Sequence, residues 1–117
     1  VPIQFTGGRG LRFLLSSGNY LTTGPLDYFF QGLSDDGRYY IVALLRDINH
    51  PYIVDSNLLM EGDFGPLVGW GDGQYDEAEA SYEVFNARTE TLLDAQVVTL
   101  YPQLELLDAM MASIVIK

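Results

Sequence analysis

The 117-residue chain has no cysteine, one histidine and one lysine. The lack of cysteine excludes disulfides, thiolate metal sites and cysteine nucleophiles, and it leaves the redox compartment undecided. Basic residues are also scarce: sixteen acidic side chains against six basic ones give a net charge of -10. Such a charge argues against binding to phosphate backbones or anionic lipid. We therefore expect no nucleic-acid partner. Because no apolar run reaches the roughly 20 residues of a membrane span, we also expect no direct membrane insertion.

The residues that are plentiful predict a folded domain. Hydrophobic residues make up 48% of the chain and charged residues 19%, and eight Tyr, six Phe and one Trp supply core volume. A chain of this length and composition is typical of one folded domain, so we expect residues 1–117 to form a single α+β domain. Because the chain begins with Val1 rather than Met, we expect it to be processed, excised or trimmed.

The first half of the chain has the pattern of two β-hairpins. Residues 3–16 alternate in hydrophobicity around the glycine-rich segment Gly7–Gly10, which favours two short strands and a tight turn. Residues 26–33 and 38–45 are apolar runs on either side of Ser34-Asp35-Asp36-Gly37. This spacing predicts a second hairpin with Gly37 in the left-handed conformation.

The strand after this turn is apolar at every position from Tyr39 to Leu45. Alternate residues of a strand point to opposite faces of a sheet, so both faces of this strand carry apolar side chains. That pattern is typical of a central strand that is covered on both sides. We therefore expect this strand to be buried between two layers.

The second half of the chain has helical periodicity. Apolar and small residues recur every three or four positions over residues 75–96, and a second helix is predicted from about Pro102 to about Ser113, with Leu104, Leu107, Met111 and Ile114 on its apolar face. Strands that precede helices in this order predict the α+β class. The expected architecture is an antiparallel sheet of about four strands, in two hairpins, packed against two C-terminal helices.

Residues 46–73 are the hardest to interpret, and we expect mostly loop, with a glycine-rich loop over residues 54–75. Phe64, Trp70 and Tyr75 lie in or beside this loop, where neither strand nor helix periodicity explains them. Loop aromatics often bind a partner or a ligand. The alternative is that they fold over the sheet as a lid. We take Phe64, Trp70 and Tyr75 as the candidate partner- or ligand-binding residues.

The segment from Asp72 to Glu79 is the candidate metal site. Carboxylate oxygens on a glycine-containing loop that enters a helix suit Ca²⁺, and the best-placed ligands are Asp72, Asp76 and Glu79. The spacing does not match an EF-hand loop. The same acidic residues are equally explained by their favourable position in the first turn of a helix. Calcium is the one cofactor that the sequence leaves open.

Two further motifs have structural explanations. His50, the only histidine, lies between Asp47 and Asp55, but a catalytic triad needs three groups that converge in space. His50-Pro51 is more simply the exit of a strand. The segment Gly7–Gly10 leads into a strand pattern rather than a helix, so a tight turn explains it better than a phosphate loop does. We therefore assign no catalytic residue.

Three strings of the sequence resemble a known group of proteins. FTGGRGLRFL, LDYFFQGLSDDGRYYIVALL and YPQLELLDAMMASI resemble the C-terminal half of uncharacterised bacterial extracytoplasmic proteins, many of them lipoprotein-like. The resemblance covers roughly residues 5–53 and 100–116. It implies an extracytoplasmic location, and it implies that residues 1–117 are the C-terminal portion of a longer precursor. It brings no known activity. The hairpin with its closing helix also resembles Mog1/PsbP-like folds, which mostly serve in binding or assembly.

Two hypotheses of function follow. The first is a non-catalytic extracytoplasmic binding or protein-interaction domain, a subunit of a larger assembly, whose partner is another protein or the N-terminal part of its own precursor. The second is a small carboxylate-dependent hydrolase, with calcium as an optional cofactor. The first rests on the apolar strand and on the absence of a convincing catalytic motif, and the second rests on the excess of acidic residues and the segment 72–79.

Overall fold

The computed structural model describes residues 1–16, 22–61, 75–95, 99–100 and 102–117. In these residues four strands precede four helices. The strands are β1 (Pro2–Phe5), β2 (Gly8–Leu15), β3 (Leu26–Ser34) and β4 (Tyr40–Ile48), and the helices are α1 (Pro51–Val54), α2 (Asn57–Glu61), α3 (Tyr75–Ala95) and α4 (Leu104–Ala112). The predicted α+β class, with a four-stranded antiparallel sheet and two C-terminal helices, is confirmed.

The sheet is an antiparallel meander in the order β1-β2-β3-β4. Gly7 has a φ of 88° in the turn between β1 and β2, and Gly37 has a φ of 70° in the turn between β3 and β4. The Asp36 carboxylate accepts the Ser34 hydroxyl at 2.6 Å and the Arg38 N–H at 3.0 Å. These two bonds hold the pKa of Asp36 below its usual range, and they close the turn where the sequence predicts it.

The two C-terminal helices agree with the sequence prediction. Four buried side chains of α3 lie on its predicted apolar stripe, Ala78, Phe85, Thr89 and Leu92, and Leu93 is buried in addition. In α4 the buried residues are Leu104, Leu107 and Met111, while Met110 is largely exposed. The helix begins at Leu104, two residues after the predicted start at Pro102. After α4 the chain runs beside β1: Thr6 N donates to Ile114 O at 3.1 Å, and Ile116 N donates to Thr6 O at 2.9 Å.

The interpretation of residues 46–73 as mostly loop is wrong over its first half. Strand β4 continues to Ile48, and helices α1 and α2 follow. Pro51 occupies the first turn of α1, and the His50 imidazole caps the helix by accepting the Tyr52 N–H. Because proline is favoured at this position and a side-chain acceptor satisfies a free N–H, this local pair is sufficient to start a helix. Residues 62–73 of the expected loop lie outside the described residues.

Two apolar clusters form the interior. The larger lies between one face of the sheet, which we call the inner face, and α4 together with Leu93 of α3. The smaller joins α1, α2 and α3 through Tyr52, Leu58, Phe85 and Leu92. Of the helices, α4 and the C-terminal end of α3 therefore cover the inner face of the sheet, while α1 and α2 pack against α3.

The prediction that the strand ending in Leu45 is central and covered on both faces is wrong. β4 is the last strand of the sheet. Its burial alternates, and Tyr40, Val42 and Leu44 are exposed while Ile41, Ala43 and Leu45 contact the larger core. The reason is topological: all the helical cover that the structure describes lies on the inner face, so the second apolar face of β4 faces solvent.

Candidate functional site

The outer side of the sheet carries an exposed apolar surface, which we call the open face. Its side chains form four rows across the strands, because directly paired residues of antiparallel strands point to the same face. The rows are Gln4-Arg9-Leu33-Tyr40, Pro2-Leu11-Gln31-Val42, Phe13-Phe29-Leu44 and Leu15-Asp27. Eight of these thirteen residues are large apolar or aromatic side chains, so the open face is more apolar than an ordinary solvated face.

The apolar residues of the open face are accessible. Leu11, Val42 and Leu44 are between 51% and 58% exposed. Phe13 and Phe29 lie with their ring centroids 5.0 Å apart and form the most apolar part of the surface. A depression of about 600 Å³ lies beside this ring pair, with Leu11 and Tyr40 among its lining residues.

The free edge of β4 borders the open face. Ser34 N donates to Tyr39 O at 2.9 Å, and backbone groups alternate in direction along an antiparallel strand. Tyr40, Val42 and Leu44 therefore direct their N–H and C=O groups away from β3. No strand among the described residues pairs with this edge. The same three residues thus offer apolar side chains and open backbone groups to a partner.

The net charge lies away from the sheet. Residues 1–48 contain four Asp and four Arg, whereas residues 49–117 contain twelve acidic residues against Arg88 and Lys117. On the open face Arg9 is exposed, and Asp27 pairs with Arg46 at 3.6 Å. The half of the chain that carries the open face is therefore nearly neutral, and the helical half carries the net charge.

The predicted binding aromatics are not part of the open face as described. Phe64 and Trp70 lie outside the described residues. Tyr75 is the first residue of α3 and is exposed, and it does not belong to any row of the open face. The binding role of Phe64, Trp70 and Tyr75 therefore stays a prediction, and the aromatic pair Phe13–Phe29 on the sheet was not among the residues selected from the sequence.

The predicted calcium ligands are only partly described. Asp72 lies outside the described residues, while Asp76 and Glu79 are exposed in the first two turns of α3. In the part of the chain that the structure describes, no group of three or more His, Asp or Glu side chains is close enough to hold a metal ion. The position of Asp76 in the first helical turn is explained by the helix dipole.

His50 is a buried structural residue. Its Nδ1 accepts the Tyr52 N–H at 3.3 Å, and its ring stacks on Phe85 with centroids 6.2 Å apart. Its Nε2 has no hydrogen-bond partner among the described residues. Burial lowers the pKa of the imidazole to about 4. The backbone of His50 is extended, in agreement with the interpretation of His50-Pro51 as a strand exit.

A buried polar cluster joins the sheet to α4, and the sequence alone gave no signal for it. Arg12 on β2 donates to both oxygens of Asp108 at 3.2 and 3.1 Å, and Tyr28 on β3 donates to the same carboxylate at 2.8 Å. Burial, together with this hydrogen bond and the negative charge of Asp108, raises the pKa of Tyr28. Because all three groups are occupied with one another, the cluster positions α4 and is not a reactive site.

Comparisons with family models, with curated proteins and with solved structures found no match. Within the described residues, none of the helices combines the length and the apolar character needed to cross a membrane.

Proposed function

We propose that this chain is a non-catalytic protein-interaction domain that binds its partner through the open face and the free edge of β4. The observation that carries the proposal is the exposure of Leu11, Val42 and Leu44 on the solvent side of the sheet. An extracytoplasmic location is part of the proposal, and the resemblance of three sequence strings to bacterial extracytoplasmic proteins supports it.

The extent of the open face supports docking. Four strands about 4.8 Å apart, with an average of about seven residues at about 3.4 Å each, give a face of roughly 450 Å² in projection. Apolar or aromatic side chains make up the greater part of this face, eight of thirteen. Soluble monomers rarely expose contiguous apolar patches much larger than a few hundred Å², and patches of this size often mark interaction sites. The open face is therefore large enough for a specific partner.

The edge of β4 lacks the usual protection against strand addition. Exposed edges are commonly protected by lysine, proline or a bulge. Residues 40–45 contain no charged residue and no proline, whereas Arg46 and Asp47 follow at the end of the strand. The pairing with β3 is irregular only at this end, where Asp47 has a φ of 63°. The apolar part of the edge is therefore regular and open.

Site-specific photocrosslinking tests the proposal. A benzophenone amino acid replaces Leu44 on the open face or, as a control, Val84 on α3, and both side chains are about half exposed. We expect irradiation in the producing cells to give one defined adduct from position 44 and none from position 84, with mass spectrometry to identify the captured protein. No adduct from position 44, or equal capture from both positions, would contradict the proposal.

The carboxylate-dependent hydrolase stays a prediction. Asp76 and Glu79 are exposed on α3, and the third predicted ligand, Asp72, lies outside the described residues. A hydrolase screen with and without a calcium chelator, repeated with Asp76→Ala, tests this alternative. Turnover that both the chelator and the substitution abolish would favour it over the interaction domain.

A further inference from the structure

We propose that the partner of the open face is a second copy of this chain, and that the two sheets pack face to face as a β-sandwich. This inference rests on the proposed function and adds the identity of the partner. It concerns the packing of side chains across two sheets, with the β4 edges at the border of the interface.

The geometry of the open face suits pairing with itself. In a dimer with two-fold symmetry the same surface patch is used by both copies. Phe13 of the Phe13–Phe29 ring pair lines one side of the depression, and Leu11, Tyr40 and the exposed Arg9 are among its other lining residues. A two-fold rotation places the ring pair of each copy over the depression of the other, so that each sheet fills the hollow of its partner.

The available area agrees with a stable dimer. Packed sheets lie about 10 Å apart, with their side chains interdigitated. A projected surface of roughly 450 Å² corresponds to a larger accessible area, because side chains are rough, and standard interfaces bury about 800 Å² per partner. The open face thus approaches the size that a specific homodimer needs.

The distribution of charge favours this orientation over others. Two chains of net charge -10 repel each other if their helical halves meet. Face-to-face pairing places the helices of both copies on the outside, with two sheets between them. The distance between the two sets of helices then exceeds the Debye length of about 8 Å at physiological ionic strength. A strongly basic partner would instead be drawn to the helices. The nearly neutral open face suits a neutral, apolar partner surface, and the chain itself supplies one.

Sedimentation equilibrium of the purified chain tests the inference. The concentrations run from about 1 to about 100 µM, a range in which a dimer of micromolar affinity is populated. We expect a mass of twice 13.0 kDa at the upper end. Val42→Lys introduces a charge into both halves of the interface and should weaken association at least about 100-fold. Val84→Lys is the matched control, because Val42 and Val84 are 51% and 49% exposed, and it should dimerise like the wild type.

A second measurement uses the unmodified protein and does not depend on the folding of a variant. Hydrogen exchange at high and at low protein concentration should show slower exchange in β4 at the higher concentration, with α3 unchanged. A wild-type monomer at every concentration, or a Val42→Lys dimer as tight as the wild type, overturns the inference. If the wild type is monomeric while the photocrosslinker at position 44 captures a different protein, the proposed function stands and the dimer does not.

Discussion

Glycines on the inner face of the sheet are explained by the two aromatic rings packed against them. A Cβ on Gly8 would overlap the Phe5 ring, and a Cβ on Gly10 would overlap both the Phe30 ring and the Gln31 carbonyl. The two rings meet edge to face, with centroids 6.2 Å apart. The absence of side chains at these positions lets both rings approach the backbone, as in other sheets where an aromatic covers a glycine.

His50 should make stability depend on pH. Its pKa is lowered from 6.5 to about 4 in the folded chain, so the unfolded chain binds more protons between these values. The contribution of neutral His50 to the free energy of unfolding is therefore fully present above about pH 6.5. It is lost as the pH falls towards 4, by at most about 3 kcal/mol. Urea unfolding at a series of pH values, followed by circular dichroism, measures this loss.

His50→Asn is the control for this effect. Asparagine retains a side-chain acceptor for the Tyr52 N–H at the N-cap and does not titrate. We expect the difference in unfolding free energy between wild type and variant to shrink as the pH falls from 6.5 to 4. A difference that stays constant over this window would show that other groups cause the acid sensitivity.

At the scale of elements, Asp108 should be the most sensitive contact between α4 and the sheet. Asp108→Ala leaves the buried Arg12 guanidinium and the Tyr28 hydroxyl without their acceptor. Removal of one partner from a buried ion pair typically costs about 3–5 kcal/mol. Because the Asp108 side chain is itself 22% exposed, we expect the lower end of that range, measured as the change in the free energy of urea unfolding.

Glu105→Ala removes the same charge from the same helix and serves as the comparison. Glu105 is exposed in the first turn of α4, where its favourable interaction with the helix dipole is worth about 0.3–1 kcal/mol. Equal destabilisation by the two substitutions would mean that the buried cluster contributes no more than a surface charge.

The elements differ in how far local sequence determines them. Helix α3 and the turn at Gly37 were predicted correctly because their signals, a helical apolar stripe and a residue with positive φ, are local. The Arg12–Asp108 pair spans 96 positions and leaves no local pattern. The uninterrupted apolar run from Tyr39 to Leu45 showed correctly that both faces of β4 are apolar. Apolar side chains, however, suit a protein interface as well as a core. For this reason the apolar pattern could not show which face of β4 is buried, and the sequence did not predict the open face.

At the scale of the whole molecule, the location of the net charge predicts how salt affects association. Each copy carries a net charge of -10, and the proposed interface contains few charges. Salt should therefore screen the residual repulsion between copies and strengthen the dimer several-fold between about 20 mM and about 500 mM NaCl. Sedimentation equilibrium at the two concentrations measures the change. Weaker association at high salt would indicate attraction between opposite charges across the interface.

The total charge was readable from composition, but its distribution became informative only with the fold. Residues 1–48 are neutral and form the sheet, whereas most acidic residues among those that the structure describes belong to the helices that follow. The predicted preference for a protein partner over nucleic acid stays a prediction. The surface proposed to bind such a partner could be identified only from the three-dimensional arrangement of the strands.

The two margins of the sheet are unlike each other, and this limits growth into filaments. Beside β1, Thr6 already exchanges backbone hydrogen bonds with Ile114 and Ile116, and Pro2 has no N–H to donate. Endless head-to-tail stacking requires two complementary margins on every chain. Because part of the β1 margin is already bonded to the chain itself, head-to-tail strand addition is hindered, and the proposed face-to-face dimer is a closed assembly of two chains.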